Sequence, residues 1–120
     1  MILVDTSVWV DHLRRSDAAL VTALTAGQVL MHPFVIGEIA LGSLRQRRLV
    51  LTMLRDLPSA FVASDEETMD FIELHRLAGR GIGYVDAHLL ASTRLSAAPL
   101  WTRDKRLRAL ASEIGVVPAP

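Results

Sequence analysis

The sequence contains no cysteine among its 120 residues, which excludes both a disulfide framework and a thiolate metal site. It also lacks any apolar run approaching the roughly 20 residues that a helix needs to cross a bilayer. The first residues show no basic segment followed by a long apolar stretch, so we expect no signal peptide. Together these absences favour a cytoplasmic protein without a membrane span.

An excess of charge of either sign is lacking as well, because 13 basic residues balance 13 acidic ones. The whole molecule therefore has no strong field that would attract a polyanion, and nucleic-acid binding would depend on local basic patches. Two such patches are present, the RQRR run at 45–48 and the RDKRLR stretch at 103–108. The alternative is that both are ordinary solvated faces.

The chain alternates short apolar segments with helical ones. Strands are predicted at residues 2–4, 28–32, 60–63 and 99–102, with 116–117 as an optional final strand. Helices are predicted at 7–13, 17–26, 33–44 running into 45–57, 65–78, 84–96 and 104–114. Regular alternation of this kind predicts an α/β fold, with a central, mostly parallel sheet in a three-layer α/β/α arrangement. The length fits a single domain spanning residues 1–120.

Two carboxylates come directly after predicted strands. Asp5 follows the apolar segment ILV, and Asp104 follows PLWT in the same way. Ligands of open parallel sheets bind outside the carboxyl ends of the strands, so both residues are well placed for chemistry. The alternative for each is that it only caps the helix that follows.

Two more carboxylates lie on helical segments among apolar neighbours. Glu38 shares its predicted helix face with Leu41, and Asp86 shares its face with Leu89. Because burying an unpaired charge costs several kcal/mol, such a group is normally neutralised, paired or bound to a metal. For Asp86 the alternative is a favourable interaction with the N-terminus of its helix.

If the four acids converge, they form a cluster of up to four negative charges at the sheet edge. Like charges at short range oppose one another unless a cation is present or some of the groups are protonated. Oxygen ligands without His or Cys select a hard ion, Mg²⁺ or Mn²⁺. Such a site suits hydrolysis of a phosphodiester, in which the ion activates water and stabilises the charge on the leaving oxygen.

The four acids and their surroundings resemble the motifs of the PIN-domain ribonucleases. These motifs are VDTSVW with Asp5, GEIALG with Glu38, YVDAHLLAS with Asp86 and WTRDKRL with Asp104. The resemblance covers essentially the whole chain and is most marked for the small toxin subunits of VapBC-type toxin–antitoxin pairs. It implies a Mg²⁺-dependent endoribonuclease, with Mn²⁺ as a substitute, that acts as a homodimer on RNA such as tRNA and is neutralised by a cognate antitoxin.

The resemblance also implies a role for each acid. Asp5 and Asp86 would bind the metal directly, and Asp104 would contribute to the same site, often through water. Glu38 would help to position the ion or the attacking water.

Other residues near these motifs are candidates for holding RNA. The resemblance implies that Thr6 and Ser7 supply hydroxyl contacts near the first aspartate. Arg103 and Lys105 flank Asp104, where they would contact phosphates and make binding weaken with salt.

Other enzyme classes fit the sequence less well. A phospho-receiver domain needs an acidic pair after its first strand, and a haloacid-dehalogenase-type phosphatase needs a second aspartate where Ser7 stands. A catalytically silent PIN-like module that binds RNA or joins a complex remains the alternative. Loss of an acid would be its usual mark, and all four acids are present.

Overall fold

The computed structural model describes residues 1–117 and Ala119. Its sheet has three short strands, β1 (Ile2–Val4), β2 (Val29–Leu30) and β3 (Leu100–Trp101), in the order β2-β1-β3. Both pairings are parallel, with Leu3 of the central strand opposite Leu30 on one side and Leu100 on the other. The first strand of the chain is therefore the centre of the sheet.

Seven helices surround this sheet in the part of the chain that the structure describes. They are α1 (Thr6–Arg14), α2 (Ala18–Thr25), α3 (Pro33–Ala40), α4 (Arg47–Arg55), α5 (Asp65–Leu74), α6 (Tyr84–Ser96) and α7 (Lys105–Glu113). Helix α1 packs against α3, α3 against α4, and α5 against α6. The parallel sheet and its helices confirm the predicted α/β fold.

Both faces of the sheet are covered, as residues of the central strand show. Leu3 and Val4 point to opposite faces because successive side chains of a strand alternate, and neither is accessible to solvent. Burial on both faces explains why the strand reads as an uninterrupted apolar run. It also agrees with the prediction of helices on either side of the sheet.

Several helix boundaries follow from local capping. Asp17 is the N-cap of α2, where its carboxylate accepts a hydrogen bond from the Leu20 N–H at 2.9 Å. Ser64 and Glu67 form a reciprocal capping box at the start of α5. Such side chains satisfy backbone groups that a helix leaves unpaired at its ends, and they are readable in the sequence.

The strand predicted at 60–63 is wrong. Only a single parallel bridge between Met31 and Ser59 forms beside β2, and the chain then leaves the sheet. Ala60 N–H donates to the Met31 oxygen at 2.9 Å. Further along, two N–H groups donate to serine side chains of α6, Phe61 N–H to Ser96 Oγ at 2.9 Å and Ala63 N–H to Ser92 Oγ at 3.2 Å. Phe61 is 71% exposed, so the apolar character of this segment does not reflect burial in a sheet.

The predicted helix at 33–44 ends early, and 116–117 lies outside the named strands. Helix α3 ends at Ala40, and Arg47 from the start of α4 donates hydrogen bonds to the backbone oxygens of Ala40 and Gly42. Leu100 N–H donates to the Val117 oxygen at 3.0 Å, which keeps that segment beside β3. Among the described residues, no helix combines the length and apolar character required to cross a membrane.

Candidate active site

The carboxyl ends of β1 and β3 bring Asp5 and Asp104 to the same edge of the sheet. Thr102, the residue after β3, connects them, since its hydroxyl donates to Asp5 Oδ2 at 2.8 Å. The same hydroxyl accepts the backbone N–H of Asp104 at 3.1 Å. Parallel pairing of β1 with β3 thus places two acids that are 99 positions apart in sequence on either side of one threonine.

Asp5 occupies the N-cap position of α1, yet its carboxylate accepts no capping hydrogen bond from the backbone N–H groups of that helix. Instead, Oδ2 accepts the hydroxyls of Ser7 and Thr102, both at 2.8 Å. The residue is only 6% exposed. Helix capping therefore does not account for Asp5, and its two hydroxyl donors hold the carboxylate without neutralising it.

Asp104 does cap its helix. Its Oδ1 accepts the backbone N–H groups of Arg106 and Leu107, at 2.9 and 3.1 Å, at the start of α7. The residue is exposed, and both bonds fall on one carboxylate oxygen. A capping role thus leaves Oδ2 of Asp104 able to contribute to a site at the sheet edge.

Glu38 lies in the middle of α3 and is exposed, which corrects the expectation of a buried carboxylate on an apolar face. That expectation treated Leu41 as a core residue, whereas Leu41 is 90% exposed. The Glu38 carboxylate is nevertheless fixed, because Thr6 Oγ1 donates to its Oε1 at 2.6 Å. This bond joins α3 to the start of α1, directly after Asp5.

Asp86 lies in the first turn of α6 and is partly buried. Its Oδ2 accepts the backbone N–H of Gly83 at 3.1 Å. Burial raises the pKa of Asp86, as do the negative charges of the other three acids, Asp5, Asp104 and Glu38, while the bond from Gly83 lowers it. The negative charges of the other three candidate acids therefore act on Asp86.

The arrangement suits a hard cation held largely through water. The ion pairs among the described residues involve other acids, so none of the four candidates has a basic side chain within 4.0 Å there. Within the same part of the chain, no three acidic or histidine side chains lie close enough to share an ion directly. Mg²⁺ characteristically keeps several water ligands and binds through one or two carboxylates.

Residues 2–113 match the PIN domain. This protein belongs to the PIN-domain family. Over 97% of its length it is also 51% identical to Ribonuclease VapC32 of two Mycobacterium tuberculosis strains, CDC 1551 / Oshkosh and ATCC 25618 / H37Rv, covering 94% of that protein.

Solved structures support the PIN fold. FitAcB from Neisseria gonorrhoeae superimposes with a TM-score of 0.67 at 18% identity, covering all of this chain and 97% of that one. FitAB bound to an IR36 DNA fragment gives 0.66 at 17% identity, with coverage of 99% and 94%. PAE2754 from Pyrobaculum aerophilum gives 0.62 at 17% identity, with coverage of 98% and 82%.

Of the predicted RNA contacts in this PIN domain, two lie beside the acids as hydroxyl donors and two are basic. The hydroxyls of Thr6 and Ser7 donate hydrogen bonds to Glu38 and Asp5, respectively, as described above. Lys105 is exposed in the first turn of α7. Arg103 is different, because its guanidinium contacts two acids of the same chain.

The acids that hold Arg103 were missed by the sequence reasoning. Arg103 Nη1 donates to Asp11 Oδ2 at 2.5 Å, and Nη2 donates to Asp17 Oδ2. Asp11 lies on α1 and Asp17 at the N-cap of α2, so the partners are 92 and 86 positions from the arginine. No periodicity or motif links residues so far apart, and only the fold reveals the contact.

The aromatic and histidine side chains of the PIN domain are mostly structural. Trp9 and Trp101 are 3% and 7% exposed and belong to the core. His32 is fully buried, with Nε2 3.2 Å from Ser92 Oγ, and its Nδ1 accepts the Phe34 N–H at the start of α3. Burial, with a smaller effect of His88, lowers the His32 pKa to about 4, so this imidazole is neutral at pH 7.

Proposed function

We propose that this protein is a Mg²⁺-dependent endoribonuclease toxin, for which Mn²⁺ can substitute. The observation that carries the proposal is a pair of threonine links: Thr102 connects Asp5 with Asp104, and Thr6, next to Asp5, holds Glu38. The negative charges of the other three acids raise the pKa of Asp86, which also supports the proposal. None of the four acids has a basic partner among the described residues. The 51% identity to a protein named as a ribonuclease supports RNA as the substrate.

In the proposed site, Asp5 and Asp86 hold the ion directly. Each accepts its hydrogen bonds from protein donors on Oδ2, which leaves Oδ1 for the ion. Asp104 contributes through water, and Glu38 positions the ion or the attacking water. When bound, the ion lowers the pKa of a water molecule and stabilises the charge that develops on the leaving oxygen.

The chain's own hydroxyls orient the acids in this scheme. Ser7 and Thr102 both donate to Asp5 Oδ2, while Thr6 holds Glu38. Fixed geometry of this kind matters because a small misplacement of a reacting group costs a large factor in rate. Lys105, exposed beside Asp104, is the proposed phosphate contact.

The partners belong to the same proposal. We infer a cognate antitoxin that blocks cleavage, a homodimer as the active form, and tRNA as a candidate substrate, all in the cytoplasm. Support comes from the relationship to VapC32. The antitoxin is tested by co-expressing the product of the adjacent reading frame, which should co-purify with the protein and suppress RNA cleavage.

The decisive experiment measures cleavage of a structured RNA by the wild-type protein and by Asp5→Asn and Asp86→Asn. We expect defined endonucleolytic products from the wild type, inhibition by EDTA and recovery with Mg²⁺ or Mn²⁺. Both variants should lose cleavage while keeping the circular dichroism spectrum, whereas the matched control Asp70→Asn, an exposed acid on α5, should cleave normally. Cleavage by both site variants at the wild-type rate would refute the site.

The alternative is a catalytically silent module that binds RNA or joins a complex. It predicts that the wild type retains RNA in a filter-binding assay without cleaving it under any metal condition. The presence of all four acids favours the enzyme over this alternative.

A further inference from the structure

Arg103 lies beside a candidate catalytic acid, where an exposed arginine would be expected to contact substrate. In this structure its guanidinium is directed to Asp11 and Asp17 instead. Each of the two Nη atoms donates to a different carboxylate, and the Asp17 side chain is 18% exposed. Charge-assisted bonds from both ends of a planar guanidinium fix its position as well as its charge.

The backbone of Arg103 is held at a separate point. Its N–H donates to Ser7 Oγ at 3.0 Å, and Ser7 in turn donates to Asp5 Oδ2. Its neighbours Thr102 and Asp104 are the residues that contact Asp5 and cap α7. The loop of residues 102–104 is therefore attached to α1 at two points, through the Arg103 backbone near Asp5 and through its side chain at Asp11.

Asp17 extends this attachment to a second helix. Its Oδ1 caps α2 through Leu20, while its Oδ2 accepts Arg103. The backbone N–H of Asp17 donates to His12 Nδ1 at 3.0 Å, which ties the α1–α2 turn to the end of α1. The guanidinium thus contacts the hydrogen-bonded turn between α1 and α2. A displaced 102–104 loop would have to break both charged contacts.

We propose that Arg103 is a positioning residue that fixes Asp104 relative to Asp5 by clamping the 102–104 loop to Asp11 and Asp17, and that it does not contact RNA. This inference rests on the proposed function, because it assigns Arg103 a part in assembling that site. It replaces the expectation that Arg103 binds phosphate. Partners that hold a ligand in place typically change metal affinity or activity by about 10- to 100-fold when removed.

The test compares three ways of breaking the clamp: Arg103→Gln, Arg103→Lys and the double variant Asp11→Asn/Asp17→Asn. Asn at position 17 keeps a side-chain oxygen that can cap α2. Arg55→Gln, at the exposed end of α4, is the control for the loss of one positive charge. For each protein we would measure kcat and KM for RNA, the salt dependence of RNA binding, and the rise in melting temperature on adding Mg²⁺ or Mn²⁺.

The clamp predicts that Arg103→Gln and the Asp11/Asp17 double variant behave alike. Both should lose kcat by about 10- to 100-fold, with KM and the salt slope unchanged. Both should also need more metal to reach the same rise in melting temperature. Arg103→Lys keeps the charge but cannot bridge two carboxylates as the planar guanidinium does. Its kcat should therefore lie between those of Arg103→Gln and the wild type.

A phosphate contact predicts a different pattern, which would overturn the proposal. Arg103→Gln would then raise KM and flatten the salt dependence, while Arg103→Lys would behave almost like the wild type. The Asp11/Asp17 double variant would free the arginine and tighten RNA binding. If the wild type cleaves no RNA, the proposed function fails, whereas the metal-induced melting shift still reports whether the clamp orders the acids.

Discussion

Thr6 and Glu38 are joined by a 2.6 Å hydrogen bond from Oγ1 to Oε1 that spans 32 positions of the sequence. The bond connects the first residue of α1 with the middle of α3. Glu38 is exposed, so packing around its carboxylate does not orient it and the threonine hydroxyl has that role.

Removing that hydroxyl should therefore lower activity without unfolding the protein. We expect Thr6→Val, which keeps the branched shape, to lower kcat by about tenfold. Thr6→Ser, which retains a hydroxyl, should recover most of the loss. In a double-mutant cycle with Glu38→Gln, the two effects should not be additive, because both substitutions disrupt the same hydrogen-bonded pair. Fully additive effects would show that the two residues act separately.

The crowding of acids predicts a stability change in the metal-free protein. The pKa of Asp86 is raised by burial and by its acidic neighbours, so the ionised form destabilises the folded state. In EDTA at pH 7, Asp86→Asn should melt at a higher temperature than the wild type. The difference should shrink as the pH falls towards the ordinary value of 3.8, where the carboxyl becomes protonated in both states. An equal or lower melting temperature for the variant would mean that the acids do not repel one another.

The buried His32 predicts a loss of stability in mild acid. Its pKa is about 4 when folded and 6.5 ordinarily, so the unfolded chain binds a proton first as the pH falls. The free energy of unfolding should decrease from about pH 6.5 downward, and the loss from this residue should reach about 3 kcal/mol below pH 4. Urea titrations at several pH values measure it.

His32→Asn tests the assignment, since asparagine also caps helices and does not titrate. The variant should show a shallower fall in the free energy of unfolding between pH 6.5 and 4. His75, whose pKa is also lowered by burial, is replaced by Gln in both proteins so that its contribution cancels. An unchanged slope would show that other groups govern acid unfolding.

Two glycines of the loop before α6 form a matched pair. Gly79 and Gly81 both have a positive φ, +71° and +81°, which a side chain adopts at a cost of roughly 1–2 kcal/mol. A Cβ at Gly79 would meet nothing within 4 Å, whereas one at Gly81 would lie 2.3 Å from Arg106 Nη1. Gly81→Ala should therefore destabilise the protein more than Gly79→Ala, as measured by chemical denaturation. Equal losses would show that Arg106 moves aside freely.

Features set by neighbouring residues were predictable from the sequence. The strand at 2–4, the caps at Asp17 and Ser64, and the acids after β1 and β3 all depend on contacts within a few positions. The proximity of Asp5 and Asp104 followed from one general rule, that parallel strands end at a common edge.

Features set by distant contacts were not predictable. The segment at 60–63 looks like a strand, but serines of α6 accept the N–H groups of Phe61 and Ala63, and Phe61 faces solvent. The exposure of Glu38 depends on which face of α3 packs against α1 and α4. The partners of Arg103 come from α1 and the α2 cap, and no local pattern encodes them.

The central place of β1 in the sheet has a consequence for protein synthesis. Synthesis runs from the N-terminus, so Asp5 is made before the neighbouring strand β3 and the capping residue Asp104, which come after residue 99. A nascent chain that stops before that point lacks Asp104 and the threonine that orients Asp5. Because the proposed site needs both Thr102 and Asp104, we expect such an unfinished chain to lack nuclease activity.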